Sequence, residues 1–267
     1  MSKIIAICNQ KGGVGKTTTA INLATYLAVS GKRILIIDID PQGNATSGIG
    51  IDKTAITAST YNILLDQLPP SSAAIQTQIQ NLWIIPSNIN LTGAEIELVS
   101  IIGREYKLKR ALNEVKDQYD FILIDCPPSL GLLTVNALSA ANSALIPIQC
   151  EYYALEGLGQ LINTLNLVKE NLNPELEIEG VLLTMADYRT NLTNEVISEV
   201  KKYFANVISA SHLNTMVYET IVPRNIRLTE APGFGKPIFL YDKNSLGAQK
   251  YQDLANEMLG VKKVIGK

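Results

Sequence analysis

The stretch "IIAICNQKGGVGKTTTA", residues 4–20, places a glycine-rich turn directly behind a short apolar run. The run predicts a buried strand, and the residues from Lys16 onward predict a helix. Gly12, Gly13 and Gly15 allow backbone N–H groups to turn inward around phosphate oxygens, to which the helix adds the positive end of its dipole. The stretch therefore predicts a strand, a phosphate-binding loop and a helix in that order, which is a typical opening of an α/β fold.

This loop carries two lysines, although a phosphate-binding loop normally needs one. Lys16 is placed to neutralise the β- and γ-phosphates, and the Thr17 hydroxyl is placed to hold Mg²⁺. Lys11 lies too near the start of the loop to reach the γ-phosphate of its own nucleotide without doubling back, and is better placed to reach the nucleotide of a second subunit. The loop also departs from the usual pattern, since Gln10 stands where that pattern begins with glycine. The predicted nucleotide-binding residues of the loop are Lys11, Gly12, Gly13, Val14, Gly15, Lys16, Thr17 and Thr18.

Apolar runs of strand length alternate with helix-patterned segments along the rest of the chain. These runs are continuous, as is typical of parallel strands that are covered on both faces. The runs are "KIIAIC", "RILIID", "LWIIP", "DFILIDC", "SALIPIQC", "EGVLLTM" and the shorter "ETIVP", and the predicted helices span residues 16–30, 92–117, 151–171 and 191–204. We therefore predict one α/β domain over residues 1–267, a doubly wound and mostly parallel sheet with helices on both faces.

Composition limits the class of protein. The 267 residues are 46% hydrophobic and carry a net charge of −2, so the total charge does not indicate a nucleic-acid partner. Residues 180–267 are nevertheless mildly basic, with 11 Lys and Arg against 8 Asp and Glu. Cys8, Cys126 and Cys150 each end an apolar run without a CxxC pair, which predicts buried thiols and neither a disulfide framework nor a zinc site. No signal peptide or membrane-length apolar run is evident, so we expect a cytoplasmic protein.

Six segments together resemble the ParA/Soj branch of the deviant Walker A ATPases, which are P-loop NTPases. The resemblance covers essentially the whole chain. The segments are "KGGVGKTT", "DIDPQGNATSGIG", "FILIDCPPSLGLLTVNAL", "PIQCEYYALEGL", "LLTMADYRTNLTNEV" and "VPRNIRLTEAPGFGKPI". Except for the first, each is a weak signal alone, and their combination is specific.

The resemblance implies a chromosome- or plasmid-partitioning ATPase that uses ATP and Mg²⁺. ATP would close a sandwich homodimer in which Lys11 of each subunit reaches the phosphates of the other. The dimer would bind duplex DNA non-specifically, and a ParB-like protein would stimulate hydrolysis and release it. Hydrolysis is expected to be weak without that partner, because no glutamine or histidine base is evident. The protein would be associated with the nucleoid, without stable membrane association.

Three aspartates acquire roles from their places at strand ends. Asp125 ends an apolar strand and is expected to hold Mg²⁺ through a water, ahead of switch II. Asp38 and Asp40 close the second strand at the carboxyl edge of the sheet, where ligands of α/β proteins bind. The residues alone do not rank these two; by resemblance Asp40 is catalytic and positions the attacking water, while Asp38 supports the metal shell. The predicted catalytic set is Lys11, Lys16 and Asp40, and the predicted metal set is Thr17, Asp38 and Asp125.

Base and DNA contacts are also implied by the resemblance. Pro223 and Asn225 match the segment that contacts adenine, and a rigid proline ahead of an amide suits a base. Arg189 and Arg224 lie in segments that match the DNA-binding surface, and Arg227 is a third candidate. Contacts of arginine with phosphate carry no sequence information, so binding would be non-specific and sensitive to salt.

Two departures and two alternatives stand beside this interpretation. Residues 203–218 form a longer segment than the family has, and "GFGKP" replaces a common Ser-His pair; His212, in the longer segment, is assigned no chemistry. A MinD-like ATPase that positions cargo or binds membranes is the main alternative, although "LANEMLGVKKVIGK" is a weak amphipathic helix. An iron–sulfur reductase on the same core is disfavoured, because Cys8 and Cys126 end core strands.

Overall fold

The computed structural model describes residues 2–210 and 216–261; His212 lies outside them, as does part of the 203–218 segment. A single sheet of eight strands runs through the described residues, in the order β3-β4-β2-β5-β1-β6-β7-β8. The strands are β1 (Lys3–Ile7), β2 (Ile34–Asp38), β3 (Ile75–Gln76), β4 (Leu82–Ile85), β5 (Phe121–Asp125), β6 (Ser143–Gln149), β7 (Glu177–Ala186) and β8 (Val217–Pro223). All neighbours are parallel except β3, which pairs antiparallel with β4. Every predicted strand is present, and the two-residue edge strand β3 is an addition.

Helices cover both faces of the sheet. They are α1 (Lys16–Val29), α2 (Asn44–Gly48), α3 (Thr60–Leu64), α4 (Pro70–Ala73), α5 (Leu91–Glu97), α6 (Lys107–Leu112), α7 (Leu132–Ala140), α8 (Leu158–Asn171), α9 (Asn191–Ala210), α10 (Ile226–Glu230), α11 (Ile238–Tyr241) and α12 (Leu246–Met258). One core lies between the sheet and α3–α9, and the other lies between the sheet and α1, α2 and α10–α12. The prediction of a doubly wound, mostly parallel sheet is confirmed.

Alternation along the central strands explains why both faces are covered. In β1, Ile4 and Ala6 join the first core, whereas Ile5 and Ile7 join the second. Successive side chains of a strand point to opposite faces, so a continuously apolar strand supplies both cores at once. This burial of both faces is the reason that the apolar runs do not alternate with polar residues.

Three of the four helix predictions were wrong in extent, two of them because of a glycine. The 92–117 segment is divided into α5, α6 and short 3₁₀ turns, with a break at Gly103, whose φ of 68° is left-handed. The 151–171 helix begins only at Leu158, after Gly157 with a φ of 76°. In both cases apolar spacing continued through a glycine that the backbone uses to turn. Helix α1 begins at Lys16 as predicted, and α9 continues six residues past the predicted end at 204.

Strand order brings the predicted site together at the carboxyl edge. Strand β5 lies between β2 and β1, and Asp125 is in register with both Asp38 of β2 and Ile7 of β1. The glycine-rich loop leaves β1 two residues after Ile7. Two carboxylates and the phosphate-binding loop therefore share one point of the sheet.

Candidate nucleotide site

The phosphate-binding loop is held open by backbone geometry. Gly13 and Gly15 have φ values of 76° and 89°, which favour glycine, and Gly15 begins α1 without a side-chain cap. Asn9 fixes the start of the loop, because its Nδ2 donates to the carbonyl of Pro147 at 2.7 Å and its Oδ1 accepts the Lys11 N–H at 3.0 Å. The first N–H groups of α1 are thus directed at the space that the loop encloses, as in an anion site.

Lys16 is a buried cation at the bottom of this loop. It is 7% exposed, and its Nζ donates to the backbone carbonyl of Lys11 at 3.0 Å. Burial lowers the pKa of Lys16, while the charges of Asp125 and Asp40 oppose that change. Its ammonium group therefore stands within the field of two carboxylates, and phosphate oxygens would add compensation for its burial.

Asp38 is occupied by donors of the segment that follows β2, residues 39–48, which we call switch I. Its Oδ2 accepts the N–H and the hydroxyl of Thr46 at 2.8 and 2.7 Å, and its Oδ1 accepts the Asp40 N–H at 3.2 Å. The Thr46 hydroxyl in turn accepts the Ser87 N–H at 2.9 Å. Burial nevertheless raises the pKa of Asp38 to about 6, against the effect of the Thr46 bonds. Asp38 thus holds switch I in shape.

Asp125 is the opposite case. Both carboxylate oxygens are buried, and neither has a hydrogen-bond partner of good geometry among the described residues. Burial raises the pKa of Asp125 well above its usual value, helped by the charge of Asp38; the Thr17 hydroxyl and Lys16 lower it. Two unpaired carboxylate oxygens beside a threonine hydroxyl are the oxygen ligands that Mg²⁺ prefers, directly or through water. These residues fit a magnesium site.

A cavity of about 590 Å³, which we call the phosphate cavity, opens above this centre. Asp40 lines it with a buried carboxylate, whose Oδ1 accepts the Gln42 N–H at 2.9 Å. Among the predicted residues, it is also lined by Gly12, Gly13, Gly15, Lys16, Thr17 and Thr18. Val14 is buried beneath the loop, where its carbonyl accepts the Thr184 hydroxyl at 2.9 Å.

A second cavity of about 450 Å³, the base cavity, adjoins the first. Pro223 and Asn225, the two residues expected to contact adenine, line it. The Asn225 Oδ1 also caps α10 by accepting the Leu228 N–H at 3.3 Å. Gly15, Thr18, Met185 and Pro232 line both cavities, so the two form one cleft. Met185 has a φ of 53°, unusual for a residue with a side chain, and stands between them. Lys16 lines one end of this cleft, and Pro223 and Asn225 line the other, an arrangement that suits a nucleoside triphosphate.

Lys11 stands outside the phosphate cavity. Its backbone closes the loop, yet its Nζ lies 3.9 Å from Glu151 Oε2, and its side chain is about one-third exposed. Lys11 instead borders a separate open depression with Gln10, Glu156 and Gly157. The side chains of the two lysines of the loop therefore occupy different environments.

The three arginines predicted to contact DNA are all ion-paired. Arg189 follows β7 and holds Asp187 through two bonds of 2.8 and 2.5 Å, which lower the pKa of that aspartate to about 2. Arg224 follows β8, donates its N–H to the Ala186 carbonyl, and lies 3.5 Å from Glu151. Arg227 pairs with Glu230 at 2.9 Å and with Asp242 at 3.6 Å.

Arg189 and Arg224 lie at one edge of the sheet, because Ala186 at the end of β7 is in register with Pro223 at the end of β8. Arg189 is 86% exposed and Arg224 is 61% exposed. The structure therefore brings these two arginines together, while Arg227 is turned to the acidic groups of α10 and the segment after α11.

Several lining residues were missed by the sequence analysis. The phosphate cavity is also lined by Gln42, Asn44, Ser47, Pro128, Pro232 and Gly233. The "PQGN" that follows Asp40 was a usable signal, since polar residues after a strand-end aspartate lie at the ligand edge. Pro232 and Gly233 gave no such signal in the sequence. They lie between α10 and α11, and only the fold brings them to the site.

Comparisons with known proteins show the family to which the chain belongs. A family model described as an AAA domain matches residues 2–178. The sporulation initiation inhibitor protein Soj of Bacillus subtilis is 60% identical over 97% of this chain and 98% of its own length. The chain is a member of the Soj/ParA family of chromosome-partitioning ATPases. The ParA of Myxococcus xanthus is 53% identical, over 97% of this Soj/ParA chain and 88% of its own.

A solved structure extends the comparison to bound ligands. Cobyrinic acid a,c-diamide synthase from Mycobacterium smegmatis, with bound ADP and magnesium, superposes with a TM-score of 0.81 at 36% identity, covering 97% of this Soj/ParA chain and 94% of that one. In the part of the chain that the structure describes, no helix has the length and apolar character needed to cross a membrane.

Proposed function

We propose that this Soj/ParA protein hydrolyses ATP with Mg²⁺ and uses the cycle to bind and release DNA during chromosome or plasmid partitioning. The observation that carries the proposal is the separation of the two lysines of the loop. Lys16 is buried at the phosphate cavity, whereas Lys11 projects outside it. The side chain of Lys11 therefore does not line the phosphate cavity of its own subunit, which leaves the phosphates of a second subunit as its partner in this proposal.

Within one subunit, the loop N–H groups and Lys16 bind the β- and γ-phosphates. Thr17 and Asp125 hold Mg²⁺, which when bound neutralises phosphate charge. Asp38 supports this shell by its charge and by fixing switch I. Asp40, at the cavity wall, orients the attacking water, and Pro223 and Asn225 flank the adenine.

Between subunits, Lys11 reaches the phosphates of the partner in an ATP-closed sandwich homodimer. The Nζ group leaves Glu151 to do so, and an exchange of a partly exposed ion pair for a triphosphate is favourable. Because Lys11 completes the site only in the dimer, hydrolysis is slow in the monomer, and a ParB-like partner stimulates it further and releases the DNA.

The dimer binds duplex DNA without sequence preference through Arg189, Arg224 and Arg227. Phosphates compete with Asp187, Glu151 and the acidic partners of Arg227 for these guanidinium groups. Two copies of Arg189 and Arg224 form a wider basic face than one subunit offers, so DNA binding depends on ATP. In the cell the protein works in the cytoplasm, on the nucleoid.

The test uses the Asp40→Ala variant, which should bind ATP and dimerise but hydrolyse it poorly. Its dimer is expected by size exclusion with ATP and should co-sediment with duplex DNA, not with anionic vesicles. Unimpaired turnover would exclude the proposed role of Asp40, and sedimentation with vesicles alone would favour a membrane-positioning ATPase.

A salt series then locates the DNA face. Each lost phosphate contact flattens the log–log slope by about 0.9 on duplex DNA, so Arg189→Ala in both subunits should flatten it by roughly two. Arg33→Ala is the matched control, since Arg33 also pairs with an aspartate, Asp120, but lies at the opposite edge of the sheet. Equal slopes for both variants would remove Arg189 from the DNA face.

A further inference from the structure

The carboxylate of Glu95 lies outside the cleft, against the end of the segment that joins β5 to α7, residues 126–131. We call this segment switch II; it follows Asp125 and runs past Pro128 to Gly131, the residue before α7. The Glu95 side chain of α5 packs against Gly131, with the carboxylate carbon 3.3 Å from the place that a β-carbon of residue 131 would take. Its Oε1 would overlap that β-carbon. A side chain at residue 131 would therefore displace the end of the Glu95 side chain from this position.

The helix that carries Glu95 is anchored in the core, so the backbone of Glu95 has a fixed place beside Gly131. Leu91, Ala94 and Leu98, in and just after this helix, are fully buried in the core of that face. The Oε1 atom is itself buried and has no hydrogen-bond partner among the described residues. A buried oxygen without a partner is costly, so its retention here calls for a reason beyond stability.

The start of α7 supplies that reason. Gly131 precedes this nine-residue helix and offers no side-chain cap, so the first N–H groups lack a side-chain acceptor from that position. A carboxylate beside a helix N-terminus is attracted by the helix dipole. Pro128 of switch II lines the phosphate cavity, so a shift of this segment on ligand entry would allow a backbone N–H to turn to Oε1.

We infer that Glu95 is a positioning residue for ATP hydrolysis, which acts through Gly131 to set where switch II stands against the phosphate cavity. The inference rests on the proposed function. Neither Glu95 nor Gly131 lines the phosphate or base cavity, so both act without touching the nucleotide. Their substitution should lower kcat and leave the KM for ATP in place.

The experiment is a double-mutant cycle read by ATPase kinetics. Gly131→Ala should lower kcat by about 10-fold or more, because displacements of about 1 Å at reacting groups can cost up to 100-fold. Glu95→Ala alone should lower kcat by several-fold. The double variant should recover most of the loss of Gly131→Ala, since the overlapping carboxylate is gone. Glu95→Gln with Gly131→Ala should not recover, because the amide fills the same space.

Glu97→Ala is the matched control. Glu97 lies on the same helix but turns to the Tyr61 hydroxyl, so its removal should not rescue Gly131→Ala. Additive losses in the double variant, or a change in KM alone, would overturn the inference. If Gly131→Ala does not fold, an unchanged kcat in Glu95→Ala overturns it equally. Absence of ATPase activity in the unmodified chain would instead contradict the proposed function.

Discussion

The hydroxyl of Thr46 offers the sharpest test of how switch I is built. It donates to the buried Asp38 carboxylate at 2.7 Å and accepts the buried Ser87 N–H at 2.9 Å. Thr46→Val keeps the shape of the side chain but removes both bonds. Loss of a hydrogen bond to a charged group costs about 1.5–3 kcal/mol, and leaving a buried N–H without an acceptor costs about 1–3 kcal/mol. We therefore expect Thr46→Val to lower the free energy of unfolding by about 3–5 kcal/mol.

Thr46→Ser is the control, since it keeps the hydroxyl and removes one methyl group, at a cost of about 1 kcal/mol. Urea denaturation at about pH 8 should therefore separate the two variants by at least 2 kcal/mol, on the estimates above. Equal stability of the Val and Ser variants would refute the hydrogen-bond network as the basis of switch I.

The same pair has a predicted pH dependence. The pKa of Asp38 is raised in the folded protein to about 6, so its contribution to stability is present at low pH and is lost as pH rises through 6. The hydrogen bond from the Thr46 hydroxyl lowers the pKa of Asp38, so Thr46→Val should raise that pKa further. The penalty of Thr46→Val should therefore be smaller at about pH 5, where Asp38 is protonated in both proteins, than at about pH 8. A larger penalty at the lower pH would contradict the assignment.

Three further predictions concern Lys16, Gly12 and the buried cysteines. Lys16→Ala should abolish tight ATP binding, measured by calorimetry, because it removes the only buried lysine at the phosphate cavity among the described residues; native affinity would show the loop assignment to be wrong. We expect Gly12 to pack at the dimer face beside Lys11, so Gly12→Val should prevent the ATP-dependent dimer. Nucleotide binding by the monomer should survive, since no atom of this subunit lies within 4 Å of the added β-carbon; normal dimerisation in size exclusion would show that Gly12 is not at the dimer face. Burial raises the pKa of Cys8 to about 12 and that of Cys150 to about 11, and raises that of Cys126 as well, so iodoacetamide at about pH 8 should label the folded protein far more slowly than the urea-unfolded chain. Rapid labelling of Cys8 in the folded protein would contradict its burial.

The sequence by itself determined the features whose contacts are local. The phosphate-binding loop is recognisable because its glycines, Lys16 and Thr17 lie within six residues, and their spacing alone sets the geometry. The strands are equally readable, since a strand buried on both faces must be apolar throughout. Asp125 could be predicted as a metal ligand because it stands at the end of such a strand.

Tertiary structure decided what depends on partners far along the chain. Asp38 and Asp40 looked equivalent in sequence, and only the fold shows Asp38 engaged by Thr46 while Asp40 lines the cavity. Glu95 meets Gly131 and Lys11 meets Glu151 because strand order brings remote loops to one edge of the sheet. Spacing along the chain reports contacts within a turn or a strand, whereas these contacts are set by which strands become neighbours, a choice made by the packing of the whole sheet.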